Sequence, residues 1–212
     1  MKKAFRFRLL VAFLGLTCIL NAQTYRLEVG YNNPVRLGPN VSATYFNGIR
    51  LGGTVEFDLK DNFSLLTGVL YNIVYSNKIQ KYPDLDTVTY KTLGHYLEVP
   101  LRLTYTLPIT KNLKVFGFAG PNIRYGLAQN QEVISTMTDD LNAFYNIVPG
   151  KTDLYKNSII NRLNLQIGAG GGVQWKKYQL KGGYDFGITN LNKVGTGNLF
   201  QKGWYATFSY QF

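Results

Sequence analysis

The stretch GHYLEVPLRLTYTLPITKNLKVFGFAGPNIRYG, residues 94–126, governs how the whole 212-residue chain reads. Leu97, Val99, Leu101, Leu103, Tyr105 and Leu107 recur at every second position, and Tyr96, Glu98, Pro100, Arg102, Thr104 and Thr106 fill the places between. A period of two gives a β-strand one apolar and one polar face, whereas a helix needs apolar residues three and four apart. After a break at 108–112 the pattern resumes. Leu113, Val115, Gly117, Ala119, Ile123 and Tyr125 then oppose Lys114, Phe116, Phe118, Asn122 and Arg124. Two such strands around a tight turn make a β-hairpin.

The same period recurs at 25–32, 48–59, 63–75, 161–175, 178–190 and 204–212, which makes eight strands in all. Their connections alternate. Residues 33–47, 76–93, 127–160 and 191–203 are long and polar, while 60–62, 108–112 and 176–177 are short. A soluble sandwich has no reason to sort its loops this way, but a transmembrane barrel does, with short turns on one side and long loops on the other. Closing the sheet pairs every backbone group that lipid could not satisfy. The predicted fold is therefore all-β, an eight-stranded antiparallel up-and-down transmembrane β-barrel over residues 23–212.

Charge placement supports this reading. The strand charges share the polar face: Arg26, Arg50, Arg102, Lys114, Arg124, Arg162 and Lys181 with Glu28, Glu56, Asp58, Glu98 and Asp185. A Lys or Arg facing lipid at the midplane would cost about 2–4 kcal/mol. These twelve are expected to line a narrow lumen and mostly to pair. Aromatic residues at strand ends predict two interfacial girdles. Tyr31, Tyr75, Tyr125 and Trp204 fall on the loop side, and Phe57, Phe63, Tyr105, Trp175, Tyr178 and Phe212 on the turn side.

Residues 1–8 carry Lys2, Lys3, Arg6 and Arg8. An apolar run at 9–20 follows, then Asn21-Ala22-Gln23. A basic start, an apolar stretch too short to span a bilayer and a small residue at the cut predict a secretory signal peptide at 1–22. The residues before Cys18, Gly15-Leu16-Thr17, do not match a lipidation site. With the single Cys removed, no disulfide is available to the rest of the chain. The abundance of Tyr (16), Phe (13) and Gly (22) favours strands and tight turns. Of the formal charge of +11, four positives sit in residues 1–8, and the others are scattered over turns, loops and polar strand faces. No basic run follows a phosphate backbone, so nucleic acid is not an expected partner.

The segments YLEVPLRLTYTL (96–107), FGFAGPNIRYG (116–126) and IGAGGGVQW (167–175) resemble the outer-membrane β-barrel domain of Bacteroidota, grouped as PorT-like or porin-family proteins and similar to small OmpX-like barrels. The resemblance covers nearly all of residues 23–212. It implies an outer-membrane location in contact with lipid. It also implies that Phe212, with Tyr210 and Phe208, serves as the C-terminal signal for the barrel assembly machinery. PorT itself belongs to the type IX secretion apparatus.

Other candidate chemistry is sparse. Gly168, Gly170, Gly171 and Gly172 do not open a helix, as a dinucleotide loop would, and are expected to admit large neighbours into a crowded lumen. His95 at a strand end, with Asp84 and Asp86 in the adjoining loop, is the one candidate for loop-side catalysis. No nucleophile at a defined spacing accompanies it, so the chain is read as non-enzymatic. Glu132, Asp139, Asp140 and Asp153 match no calcium loop and read as a solvated acidic loop. No cofactor is expected. Pro100 and Pro121 predict a bulge or bend in their strands. An eight-stranded barrel is just wide enough for side chains to fill, so the lumen is expected to be plugged and function to fall to the outer loops. Residues 127–160, with Phe144 and Tyr145, are the expected contact for a protein partner.

Overall fold

The computed structural model describes residues 23–39, 41–82, 86–194 and 197–212. The expected signal peptide at 1–22, and Asp84, lie outside the described residues. Eight strands form the wall: β1 (Gln23–Gly38), β3 (Asn47–Asp58), β4 (Phe63–Lys81), β5 (Thr87–Pro108), β6 (Leu113–Ser135), β8 (Leu163–Trp175), β9 (Tyr178–Gly187) and β10 (Phe200–Gln211). Two short loop strands, β2 (Val41–Tyr45) and β7 (Gly150–Asp153), pair with β1 and β6. A helix, α1 (Asp139–Phe144), lies in the longest connection. Wall strands pair antiparallel with their neighbours, and β1 closes on β10 from Arg26 opposite Gln211 to Leu37 opposite Phe200. The sheet is a ring.

Burial is inverted relative to a water-soluble protein. Leu27 is 60% exposed and Leu103 50%, while Glu98 and Asp185 are at 0%. A continuous apolar exterior around a charged interior is stable only where the outer solvent is itself apolar. The apolar band has the right height. On β4, the girdle residues Phe63 and Tyr75 bracket about 40 Å of strand at roughly 3.3 Å per residue. A tilt of about 45° converts that to about 28 Å, against a hydrocarbon core of about 30 Å.

Three connections on one side are tight. Asp61 (φ 56°) and Asn62 (φ 67°) take left-handed conformations in the β3–β4 turn, where short polar side chains tolerate them. Lys176 (φ 53°) does the same in the β8–β9 turn, and its N–H donates to Asn112 O across to the neighbouring turn at 2.8 Å.

The long side departs from the sequence reading. The segment 76–93, expected as a loop, is mostly wall: β4 runs on to Lys81 and β5 starts at Thr87. Likewise β6 continues to Ser135 and β1 to Gly38. Past the girdle, water meets both faces, so the apolar alternation that marks a strand in lipid disappears while the backbone ladder continues. A bulge or bend is expected at Pro100 and Pro121. The β5–β6 ladder is interrupted between Pro100–Asn122 and Leu103–Ala119, a gap that Pro100 borders and that contains Pro121, but the register does not shift there, and β6 stays paired with β8 through Pro121. Proline removes a donor without adding a residue. The bulge lies instead between His95 and Tyr96 opposite 126–128, and it turns Gln129 inward.

Candidate functional site

The interior is a chain of ion pairs running up the lumen. Glu98 on β5 is central. Its carboxylate accepts from Arg50 Nη2 on β3 and Arg124 Nε on β6, both at 2.9 Å. Asp185 on β9 accepts from Arg102 Nη2 at 2.5 Å, and Arg124 Nη2 approaches its other oxygen at 4.0 Å. Lys181 Nζ donates to Glu28 at 2.6 Å, and Arg26 pairs with Glu56, which also accepts from Ser64. Alternation explains the clustering: neighbouring strands each point every second side chain into one narrow space. Buried ions need such partners, because leaving one alone costs several kcal/mol.

Bulky and neutral groups fill the remaining space. Arg50 stacks its guanidinium on the Tyr205 ring at 4.2 Å, and Arg124 lies over Tyr96 at 5.1 Å. Leu70, Phe118 and Phe46 are buried inside. Glycines on β8 make room for two of these rings: a Cβ at Gly172 would come within 2.6 Å of Phe116 Cζ, and one at Gly170 would collide with Phe118. Where Pro100 interrupts the ladder, the Arg102 guanidinium donates to Gly120 O and, at 3.2 Å, to Gly168 O. A cavity of about 20 Å³ remains between Arg50, Arg102, Phe118, Lys181 and Tyr205. A larger vestibule of about 340 Å³ opens at the turn side, lined among others by Arg26, Asp58, Lys114 and Gln174.

Nine of the twelve residues expected in the lumen make these pairs. Three do not. Asp58 and Lys114 point the expected way but are exposed near the turns, inside the vestibule. Arg162 sits at the loop-side rim, donating to the carbonyls of Gly126 and Leu127 and stacking on Tyr155 at 5.1 Å. Sequence reading also missed Arg36, which is buried and bonds to Gln201 and Gln129 at 2.9 and 2.8 Å. Its segment carried no alternation to reveal its direction. Buried amides such as Asn72, Asn122 and Gln166 were equally silent, since an amide in a strand has no sign to assign.

The girdle residues Tyr31, Tyr75, Tyr105, Tyr125, Trp175, Tyr178, Trp204 and Phe212 are all exposed on the outer surface. Tyr31 packs on Trp204 at 5.3 Å on the loop side, and Phe63 on Tyr105 at 4.8 Å on the turn side. His95 faces the same exterior. Its Nδ1 lies 2.7 Å from the Tyr71 hydroxyl, away from the lumen. Asp86 accepts from Thr136 instead. The four loop acids are separated: Glu132 meets Lys151 across the β6–β7 pair at 3.5 Å, and Asp139 and Asp140 occupy the first turn of α1. Asp153 accepts from the N–H groups of Tyr155 and Lys156. Its slight burial raises its pKa, and those two donors with the Lys156 charge outweigh this and hold it below the ordinary value.

Above the wall, residues 136–149 form a built platform. Val88, Met137 and Ile147 make a small buried core, with Tyr82, Tyr90 and Val133 against it. Thr138 caps α1. On top, Phe144 is 74% exposed and Val148 82%, and Tyr145 packs on Tyr82 at 4.8 Å.

A family model described as "Outer membrane protein beta-barrel domain" matches residues 21–193. No curated protein matches the chain. Several solved structures resemble it at low identity. Neisserial surface protein A is 8% identical with a TM-score of 0.45, covering 89% of this chain and 97% of that one. Ail, the attachment invasion locus protein of Yersinia pestis, in complex with the heparin analogue sucrose octasulfate, is 11% identical with a TM-score of 0.41, covering 90% and 99%. The outer membrane enzyme PagL is 12% identical with a TM-score of 0.39, covering 86% and 98%. The family match spans most of a chain whose strands close into a ring with an apolar exterior, and the chain belongs to the outer membrane protein beta-barrel domain family.

Proposed function

We propose that the protein is a non-enzymatic binding barrel of the outer membrane, with a lumen closed by side chains and a partner-binding platform at residues 136–149. One observation carries this reading: Phe144 and Val148 are the most exposed large apolar side chains of the outer loops, on a segment held by its own buried core. A loop ordered in advance loses little further entropy on binding, and an exposed aromatic on a rigid base is a common anchor. A photocrosslinking residue at position 144 in cells tests it. The expected result is a discrete crosslinked protein, lost on adding Val148→Ser. Crosslinks to lipid alone would refute the binding role.

The resemblance of 96–107, 116–126 and 167–175 to PorT-like barrels of Bacteroidota supports a second reading, an accessory part of type IX secretion. Deleting the gene and following secreted cargo separates the two, because only the second reading predicts retained cargo. The small-porin alternative conflicts with the filled lumen. His95 has the Tyr71 hydroxyl as its side-chain partner at the outer face and, among the described residues, no serine or cysteine nucleophile bonded to it, which supports an interfacial role over catalysis. The basic and apolar opening residues support export by a signal peptide cut after Ala22, so N-terminal sequencing of the mature protein should begin at Gln23. The terminal Phe212, exposed beside Tyr210, supports recognition by the barrel assembly machinery.

A further inference from the structure

The charges of the lumen do not balance evenly along its length. Glu98 is shared by Arg50 and Arg124, and Asp185 by Arg102 and Arg124. Toward the turn side the buried cations each have their own acid: Arg26 has Glu56 and Lys181 has Glu28. At the loop side, Arg36 meets only neutral groups among the described residues, the amides Gln201 and Gln129, the Phe46 ring and Tyr155, and Arg162 donates to carbonyl oxygens and lies over the Tyr155 ring. Positive charge therefore accumulates at one end.

Three of these guanidiniums border one cavity. Arg36, Arg124 and Arg162 line a space of about 20 Å³ together with Tyr96, Tyr155 and Asn164. No carboxylate occurs among the described residues that line it. Arg124 is 5% exposed, and its Nη1 finds no hydrogen-bond partner among the described residues; Asn164 Oδ1 is in the same condition. An amide so placed can present its nitrogen instead, since the two orientations differ only by a flip. Arg124 has Glu98 and Asp185 for its other nitrogens and Arg162 stands at the rim, but Arg36 is buried with neutral partners alone, and a buried cation without an acid is costly unless something anionic meets it.

We propose that this arginine cage, beneath the outer loops, binds a single small inorganic anion of the halide class. Size limits the site to a single small occupant, and the surrounding guanidiniums make it an anion. A volume of about 20 Å³ exceeds the roughly 10–15 Å³ that one water-sized occupant needs. It is too small for a tetrahedral oxyanion unless Tyr155, whose ring would collide with any Cβ at Gly126, is displaced. A halide accepts from several donors at once and carries the charge that the amides around Arg36 lack. The site shares no residue with the apolar platform at 136–149 and does not depend on the role given to it.

Bromide is the probe. Crystals of the purified full chain grown in sodium bromide should show an anomalous peak within hydrogen-bond distance of Arg36 and Arg124. The peak should vanish in Arg36→Gln, whose present partners are neutral and whose loss leaves every ion pair intact. Arg162→Gln supplies a second variant, and heat-dependent migration on gels verifies that each one folds. In solution, chloride should raise the unfolding midpoint over gluconate at equal ionic strength, because a ligand that binds only the folded state stabilises it. Arg36→Gln should lose that difference, while Lys111→Gln at an exposed turn should keep it. Absence of a bromide peak in the native protein, or a peak undiminished in both arginine variants, would overturn the proposal. Equal midpoints in chloride and gluconate would do the same.

Discussion

Glu98 shows most clearly how single residues hold this interior. It is fully buried and takes hydrogen bonds from two arginines, with Asn72 Nδ2 at 3.5 Å. Glu98→Gln keeps the shape and removes the charge, so Arg50 and Arg124 are left facing each other. We expect a loss of about 3–5 kcal/mol, the usual cost of breaking a buried ion pair from one side. The urea midpoint of refolding into detergent or lipid measures it. Glu56→Gln should cost distinctly less, because the vestibule beside Glu56 admits water to Arg26. Equal losses at both sites would mean that depth in the lumen does not govern these pairs. Gly170 tests packing in place of charge. Gly170→Val presses a side chain against the Gly182 carbonyl oxygen of the neighbouring strand and against the Phe118 ring, and overpacking of that kind costs about 1–3 kcal/mol. The same measurement checks it, and Phe118→Leu in the same chain should recover part of the loss.

Strands carry the next level, and here lipid does most of the sorting. Val69 lies midway between the girdle residues Phe63 and Tyr75 on β4 and is 54% exposed to the exterior. Val69→Arg should cost about 2–4 kcal/mol, whereas Asn77→Arg, above the loop-side girdle on the same strand face, should cost close to nothing. Reversible folding into bilayers of defined thickness separates the two. This depth dependence also explains what could be read from the sequence. Inside the membrane, one face must be apolar, so alternation in 96–107 and 113–125 revealed direction, and Glu98, Arg102 and Arg124 were assigned inward from residue order alone. Depth left no such mark. Asp58 and Lys114 have the same parity as Glu56 and Phe116, but they stand beside turns and reach water. Above the girdle, parity itself was lost: the extensions of β4, β5 and β6 carry polar residues on both faces, and the bulge opposite His95 reverses the phase of β6 before Gln129. Arg36, a key member of the arginine cage, falls in such a stretch.

At the scale of the whole molecule, the question is whether the ring conducts. Eight strands leave an interior about as wide as the side chains that fill it. In this one the filling comes in layers. Phe46, Val74 and Tyr96 pack together at the loop side. The Glu98 and Asp185 networks lie below them, then Phe118 and Tyr205, and the vestibule opens only at the turn side. An ion entering from the turns would meet charges already paired with one another, and beyond them an apolar plug. We therefore expect the purified monomer to show no steady conductance in planar bilayers. Tyr205→Ala alone should enlarge the inner cavity beside Arg50 and still leave the recording flat, because the plug at Phe46 and Tyr96 stays in place. Adding Phe46→Ala and Tyr96→Ala removes that barrier and should produce openings, anion-selective because unpaired Arg36 and Arg162 stand at the mouth. Steady current from the native chain, or a cation preference in the triple variant, would show that the plug or the charge excess does not control passage.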